Sequence, residues 1–378
     1  MSLSDIDNTR AASQARASEP VIRTANVDIS PDQLGVTSTH EHVLVDGSVW
    51  YRTRRPEDGR FEHVLVSADT LPDVRWDAFS FRDNLRLDSA DAALNGLRRF
   101  REAGGQTVID ATTIGLRPQP EKVAEIAQRA GVNLVQGAGF YVHPSHSPEV
   151  CAAPLDDLEQ ILEREVTEGV AGSVILPGIF GEIGMSAPPT ACERRVLRAC
   201  ARVAARWGMS VIIHVDGGGS FGPEHVDDCI AGGLPADRVI CGHMDERLDS
   251  AYHREIARSG ATLAFDTFGS ELKYSGLFDH PSDTVRMRCV ADLIEDGWER
   301  QLVLGHDVFV KAHLREFGGN GYEHLSARVL PVLQAEYGIS AATVDQLMVH
   351  NPRRLLACNP PPRLQSPRGL ASSVSIEK

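Results

Sequence analysis

Apolar and polar positions along the chain alternate between two textures. Short, nearly continuous apolar runs recur at Val36–Val43, Thr107–Thr113, Asn133–Tyr141, Ile179–Gly184, Ser210–Asp216, Arg238–His243, Thr262–Thr267 and Gln301–Asp307. Runs such as Val211-Ile212-Ile213 and Leu302-Val303-Leu304 suit parallel strands buried on both faces. Between the runs, apolar residues return at helical spacing and stop at glycine. Ala92–Ala103 (Ala93, Leu94, Leu97, Phe100) ends at Gly104, Glu121–Ala130 at Gly131, and the Arg-rich Thr190–Trp207 at Gly208. Ser250–Arg258 stops before Gly260 and Val285–Glu295 before Gly297. This rhythm of strand, loop, helix and glycine predicts an α/β fold, a (β/α)8 TIM barrel with insertions. The longest insertion, Leu44 to Asp88, follows the first strand and carries Trp50, Tyr51 and Trp76. An open doubly wound sheet is the rival architecture, but no GxGxxG follows an early strand.

The barrel is expected as one domain over residues 21–358, between flexible tails at 1–20 and 359–378. The first 20 residues lack the apolar stretch of a secretory signal. No apolar run approaches the ~18 residues of a membrane span. The net charge of −14 (38 basic, 52 acidic side chains) comes with no basic stripe, which argues against nucleic acid. The seven cysteines are scattered, odd in number and without a CxxC pair. That pattern argues against a disulfide framework or a structural zinc cluster and fits a reducing cytoplasm.

Placed on the predicted strands, six polar residues fall at strand ends. His40 and His42 flank Glu41 on the first strand and point the same way, because strand side chains alternate. Glu182 lies near the end of the fourth strand, His214 ends the fifth, His243 the sixth and Asp307 the eighth. In a barrel these ends converge on one rim. One histidine at a strand end is ordinarily just a hydrogen-bonded group, and an isolated His-x-His is weak. Six imidazoles and carboxylates on one rim are a donor set for zinc or a similar divalent ion. Glu182 sits in an apolar stretch where an unpaired carboxylate would be costly. His306 should point away from Asp307 and is read as supporting. His63, His225, His253, His280, His313, His324 and His350 read as surface or capping groups.

Thr39-His40-Glu41-His42, Gly181-Glu182-Ile183-Gly184, Ile213-His214, Gly242-His243-Met244-Asp245 and Gly305-His306-Asp307 together resemble the phosphotriesterase family of the amidohydrolase superfamily, from about Val21 to Leu356. The resemblance is greatest to the phosphotriesterase-related branch, through Gly137-Ala-Gly-Phe-Tyr-Val, Gly178-Ile-Phe-Gly-Glu-Ile-Gly, Phe265-Asp-Thr-Phe-Gly-Ser-Glu and Phe317-Gly-Gly-Asn-Gly-Tyr. It implies two divalent ions per chain, with zinc the default and manganese, iron or cobalt compatible. His40, His42 and Asp307 would hold the more buried ion, and His214 and His243 the more exposed one. Glu182 stands where the best-known members carry a carboxylated lysine, and a carboxylate can bridge two ions directly. Asp266 is followed by Thr267, where those members have histidine, so a proton relay would differ and run through Asp245 or His143.

The implied reaction is hydrolysis by a metal-bridging hydroxide, with Glu182 and Asp307 catalytic and Asp307 moving the proton. The expected substrate is a small molecule with an N-acyl amide or an ester or lactone bond. Tyr141, His143, Glu271, Lys273 and Arg286 are the candidate substrate-binding residues. The alternatives are an organophosphate triesterase and a catalytically inactive barrel that acts as a binding protein. A homodimer is the expected assembly.

Overall fold

The computed structural model describes residues 20–358, so the expected tails lie outside the described residues except for Pro20. Eight parallel strands form one sheet in sequence order: β1 (Thr37–Glu41), β2 (Thr107–Asp110), β3 (Asn133–Ala138), β4 (Ile179–Met185), β5 (Val211–Val215), β6 (Val239–Cys241), β7 (Thr262–Phe265) and β8 (Leu302–Leu304). The sheet curls until β8 meets β1, where Thr39 Oγ1 donates to Leu304 O at 2.8 Å and Asp307 N to His40 O at 3.0 Å. Gly305 permits that seam, because a Cβ there would lie 3.1 Å from His40 N. Each strand is followed by a helix: α1 (Ala90–Glu102), α2 (Pro120–Ala130), α3 (Leu155–Thr167), α4 (Ala191–Trp207), α5 (Gly222–Ala231), α6 (Ser250–Arg258), α7 (Asp283–Glu295) and α8 (Leu330–Tyr337). The fold is the expected (β/α)8 barrel.

The strand register explains how the barrel is filled. Ile109 lies opposite Val135, Ile212 opposite Ile240, and Ala264 opposite Val303. With Ile179 these residues form an apolar layer across the lower barrel, closed beneath by Ile22, Leu34, Leu355 and Leu356. Side chains two residues further along each strand return to the interior near the upper rim. That rim is where the polar residues gather.

Three helices were not anticipated, α3, α5 and α8, and the first two change the reading of α4. Its Arg face is not simply solvated. Arg202 and Arg206 pair with Glu159 of α3 at 3.0 and 2.8 Å, and Arg194 and Arg198 pair with Asp228 of α5 at 3.0 and 2.7 Å. The insertion after β1 forms short 3-10 turns and a two-stranded ribbon, Val45–Asp46 with Arg86–Leu87, over the rim. Among the described residues no helix is long and apolar enough to cross a membrane.

Candidate active site

The predicted rim residues converge around Glu182. Its Oε1 lies 3.1 Å from His42 Nε2, and its Oε2 lies 3.4 Å from His40 Nε2, 3.1 Å from His214 Nδ1 and 3.3 Å from His243 Nε2. Asp307 Oδ1 is 3.3 Å from His42 Nε2 and 3.9 Å from His40 Nε2. All six are buried except His214, which is partly exposed to the cavity. All the strands but β4 are shorter than expected. His42, His243 and Asp307 lie just past the ends of β1, β6 and β8, and His243 (φ 57°) and Asp307 (φ 47°) adopt left-handed backbone. Bending the chain there turns both side chains toward the axis, a strained conformation of the kind kept at functional sites.

The rings are set from behind. Asp266 accepts from His40 Nδ1 at 2.9 Å and from His243 Nδ1 at 3.0 Å, and also from the His243 backbone N–H at 2.8 Å. His42 Nδ1 is hydrogen-bonded to Thr112 Oγ1 at 2.8 Å. The Asp266 contacts commit Nδ1 of His40 and His243 as donors and leave their Nε2 lone pairs aimed into the cluster, the arrangement a metal-binding imidazole needs. Asp266 is itself anchored by Asp245, which accepts the Asp266 and Thr267 backbone N–H groups at 3.3 and 2.9 Å and pairs with buried Arg286 at 3.3 Å.

The electrostatics call for positive charge. Burial lowers the His40, His42 and His243 pKa values, but neighbouring carboxylates outweigh it. Glu182 and Asp266 raise His40 well above the usual range, Asp307 and Glu182 raise His42 to about 9, and Asp266 and Glu182 raise His243. Protons alone fill this demand poorly. His243 Nε2 and His214 Nδ1 are 2.8 Å apart, so both cannot carry hydrogen, and buried His40 Nε2 has no hydrogen-bond partner. His40, His42 and Asp307 bring donor atoms within 4.8 Å of one another, as do His40, Glu182 and His243. These residues fit divalent cations.

A cavity of about 340 Å³ opens above this floor, walled by Trp50, Phe79, Leu116, Tyr141, Tyr274 and Phe309. Of the five candidate substrate-binding residues, the structure brings only Tyr141 to it. Its hydroxyl accepts from Trp50 Nε1 at 2.9 Å, and burial, reinforced by the Glu182 charge, holds it protonated. His143 lies outside the lining, beside Cys151. Exposed Glu271 accepts the Asp283 backbone N–H at the start of α7. Lys273 lies over the Trp76 ring at 4.1 Å, and Arg286 is buried behind the site between Asp245 and Asp283. These placements follow from loop paths and, for Arg286, from the face that α7 buries, none of which strand periodicity encodes.

The expected relay residues are also set apart. Asp245 is fully buried and absent from the lining. The lining holds a different pair, the Glu246 carboxylate and the His280 imidazole, with Oε1 and Nε2 2.9 Å apart. Burial raises Glu246 to about 7 despite the pull of His243 and His214. Of the histidines read as surface or capping groups, His63 and His350 are exposed, while His225, His253, His280, His313 and His324 are buried. Loops and helix termini folded inward supply hydrogen-bond partners that a linear reading does not show. Only the position of Glu246, three residues after His243, could have flagged it. His306 is the supporting residue expected, bonded through Nδ1 to Glu41 and accepting the Leu325 N–H at 3.0 Å.

Known proteins share this architecture. The chain is 33% identical over 334 residues to the N-acetyltaurine hydrolase of Homo sapiens, covering 87% of this chain and 95% of that protein. It is 32% identical over 341 residues to the N-acetyltaurine hydrolase of Xenopus tropicalis, covering 89% and 97%. A resiniferatoxin-binding protein from Rhodobacter sphaeroides superposes with a TM-score of 0.86 at 32% identity, over 89% of this chain and 94% of that one. The profile of the phosphotriesterase family matches residues 20–356, and the chain belongs to that family of hydrolases.

Proposed function

We propose that the protein is a metal-dependent hydrolase that cleaves the N-acyl amide bond of a small molecule carrying an anionic group. The observation that carries the reading is the position of Glu182, one carboxylate shared by four imidazoles. His40, His42 and Asp307 would hold one divalent ion and His214 and His243 a second, with Glu182 between them. Zinc is the expected ion, and manganese, iron or cobalt suit the same donors. Bound ions would supply Lewis acidity and a water acidic enough to attack at neutral pH.

The chain's own residues do the rest. Asp266 locks the tautomers of His40 and His243. Asp307, at the cavity floor, takes the proton of the attacking water and delivers it to the leaving amine. Tyr141, whose oxygen already accepts from Trp50, keeps its own proton to donate to the substrate. Arg52 is the sole arginine or lysine among the lining residues and would hold the anionic end. The amide preference follows the human and frog relatives, which are named for an N-acetylated substrate.

The test combines metal analysis with a substrate panel. Full-length protein is assayed for metal per chain beside Glu182→Ala, then offered anionic and neutral N-acyl amides, lactones, esters and phosphotriesters. Loss of two metals in the variant and turnover of anionic N-acyl amides support the reading. Turnover of lactones or esters alone moves the bond, and turnover of phosphotriesters alone makes it a triesterase. A second reading, a barrel that binds without catalysis, draws on the relative named as a binding protein. Tight ligand binding with no turnover by the metal-loaded protein would favour it.

A further inference from the structure

Four side chains with metal-binding chemistry meet beside the cavity, outside the site just described. The loop after β3 carries His143 and His146, the short helix Pro148–Ala152 carries Cys151, and Cys192 stands in the first turn of α4. Their donor atoms all lie within 4.8 Å of one another. His146 Nδ1 is 3.3 Å from Cys192 Sγ and 3.9 Å from Cys151 Sγ, and His143 Nδ1 is 3.4 Å from Cys151 Sγ. A tetrahedral zinc ion, with Zn–S of about 2.3 Å and Zn–N of about 2.0 Å, sets sulfur and nitrogen about 3.5 Å apart. The sulfur–nitrogen spacings bracket that value.

The surroundings prepare these atoms as ligands. His146 donates Nε2–H to Tyr141 O at 2.6 Å, so its Nδ1 presents a lone pair to the sulfurs. Burial holds the His146 pKa below its usual value, which keeps the ring neutral at pH 7. The Cys192 thiol is pushed up to about 12, first by burial and then by the Cys151 sulfur. Only a cation can make two adjacent thiolates favourable there. Hydrogen bonds frame the cluster: Glu193 Oε1 accepts the His143 N–H at 2.9 Å, and Arg195 donates to the Cys151 carbonyl.

We propose that His143, His146, Cys151 and Cys192 form a second metal site, a Cys2His2 zinc clamp that ties the loop after β3 to α4. Binding would convert both thiols to thiolates and release their two protons to solvent. The clamped loop carries Tyr141, Val142 and Pro144, all lining the cavity, so the ion would fix one wall of the active site. The proposal departs from the expectation drawn from cysteine spacing. Cys151 and Cys192 are 41 positions apart and share no CxxC, yet folding brings them together with two histidines.

The test is cobalt substitution of full-length protein. The catalytic residues offer no thiolate, so a thiolate-to-cobalt charge-transfer band in the near ultraviolet reports this cluster alone. The band is expected in the parent and in Glu182→Ala, and absent from the double variant Cys151→Ser, Cys192→Ser. Zinc per chain should fall by about one in that double variant. His143→Ala changes an exposed residue and should weaken or shift the band even where the double variant fails to fold. A parent without the band, a band that survives the double substitution, or a Cys151–Cys192 disulfide in freshly purified protein would overturn the proposal.

Discussion

The two ends of the barrel are built from the same strands and have opposite chemistry. At the lower end Ile109, Val135, Ile179, Ile212, Ile240, Ala264 and Val303 fill the interior without a polar atom in their side chains. At the upper end His40, His42, Glu182, His214, His243 and Asp307 crowd into a comparable cross-section. Ile212 and His214 stand two residues apart on one strand. The apolar layer is stable by itself, because burial and packing reward it directly. The polar layer is electrostatically unfinished and bends its backbone at His243 and Asp307. One end holds the barrel together, and the other uses that rigidity to keep a site that would not form alone.

The contrast can be broken most severely at the upper end. Glu182→Ala should lower kcat/KM by about three orders of magnitude or more and empty both proposed ion sites, read by kinetics and elemental analysis. A variant with near-parental activity would remove Glu182 from the centre. At the lower end, Ile109→Ala should destabilise the fold by about 3 kcal/mol in urea unfolding, yet leave metal content unchanged. Metal loss there would show that the two ends are not separable. Behind the rim, Asp266→Asn keeps the shape but removes the negative charge and leaves one acceptor oxygen where there were two. It should reduce metal affinity or activity by about 10–100-fold, measured by titration with a competing chelator.

Two buried glutamates sharpen the same comparison with a smaller effect. Glu182 resists the upward push of burial because His40, His214 and His243 hold its pKa well below the usual range. Glu165 on α3 accepts the Gly139 and Ala171 N–H groups at 3.0 and 3.1 Å, and burial carries it to about 7. Its folded pKa is above the unfolded one, so the native state binds more protons. Stability is therefore full at low pH and lost as pH rises through about 7. Glu165→Gln should flatten this loss, by about 1–3 kcal/mol between pH 5 and 8, in paired unfolding curves. Parallel curves for parent and variant would mean that water or a hidden cation solvates the carboxylate.

The barrel and its floor were legible in the residue order because both are written in local periods. Apolar runs ended by turns and glycine-stopped helical stretches are short-range signals. Once eight strands are parallel, a residue at each C-terminal end must face the common axis, and His214 or Glu182 can be placed without coordinates. Tertiary structure alone decided what comes from loops and from behind. Asp266 clasps His40 and His243, 226 and 23 positions away. Glu246 meets His280 across 34 positions, and His143, His146 and Cys151 meet Cys192. A loop's path depends on long-range packing and closure rather than on a repeating backbone geometry. The strand pattern therefore determined where the chain presents its chemistry, and the packed rim determined which partners tune it.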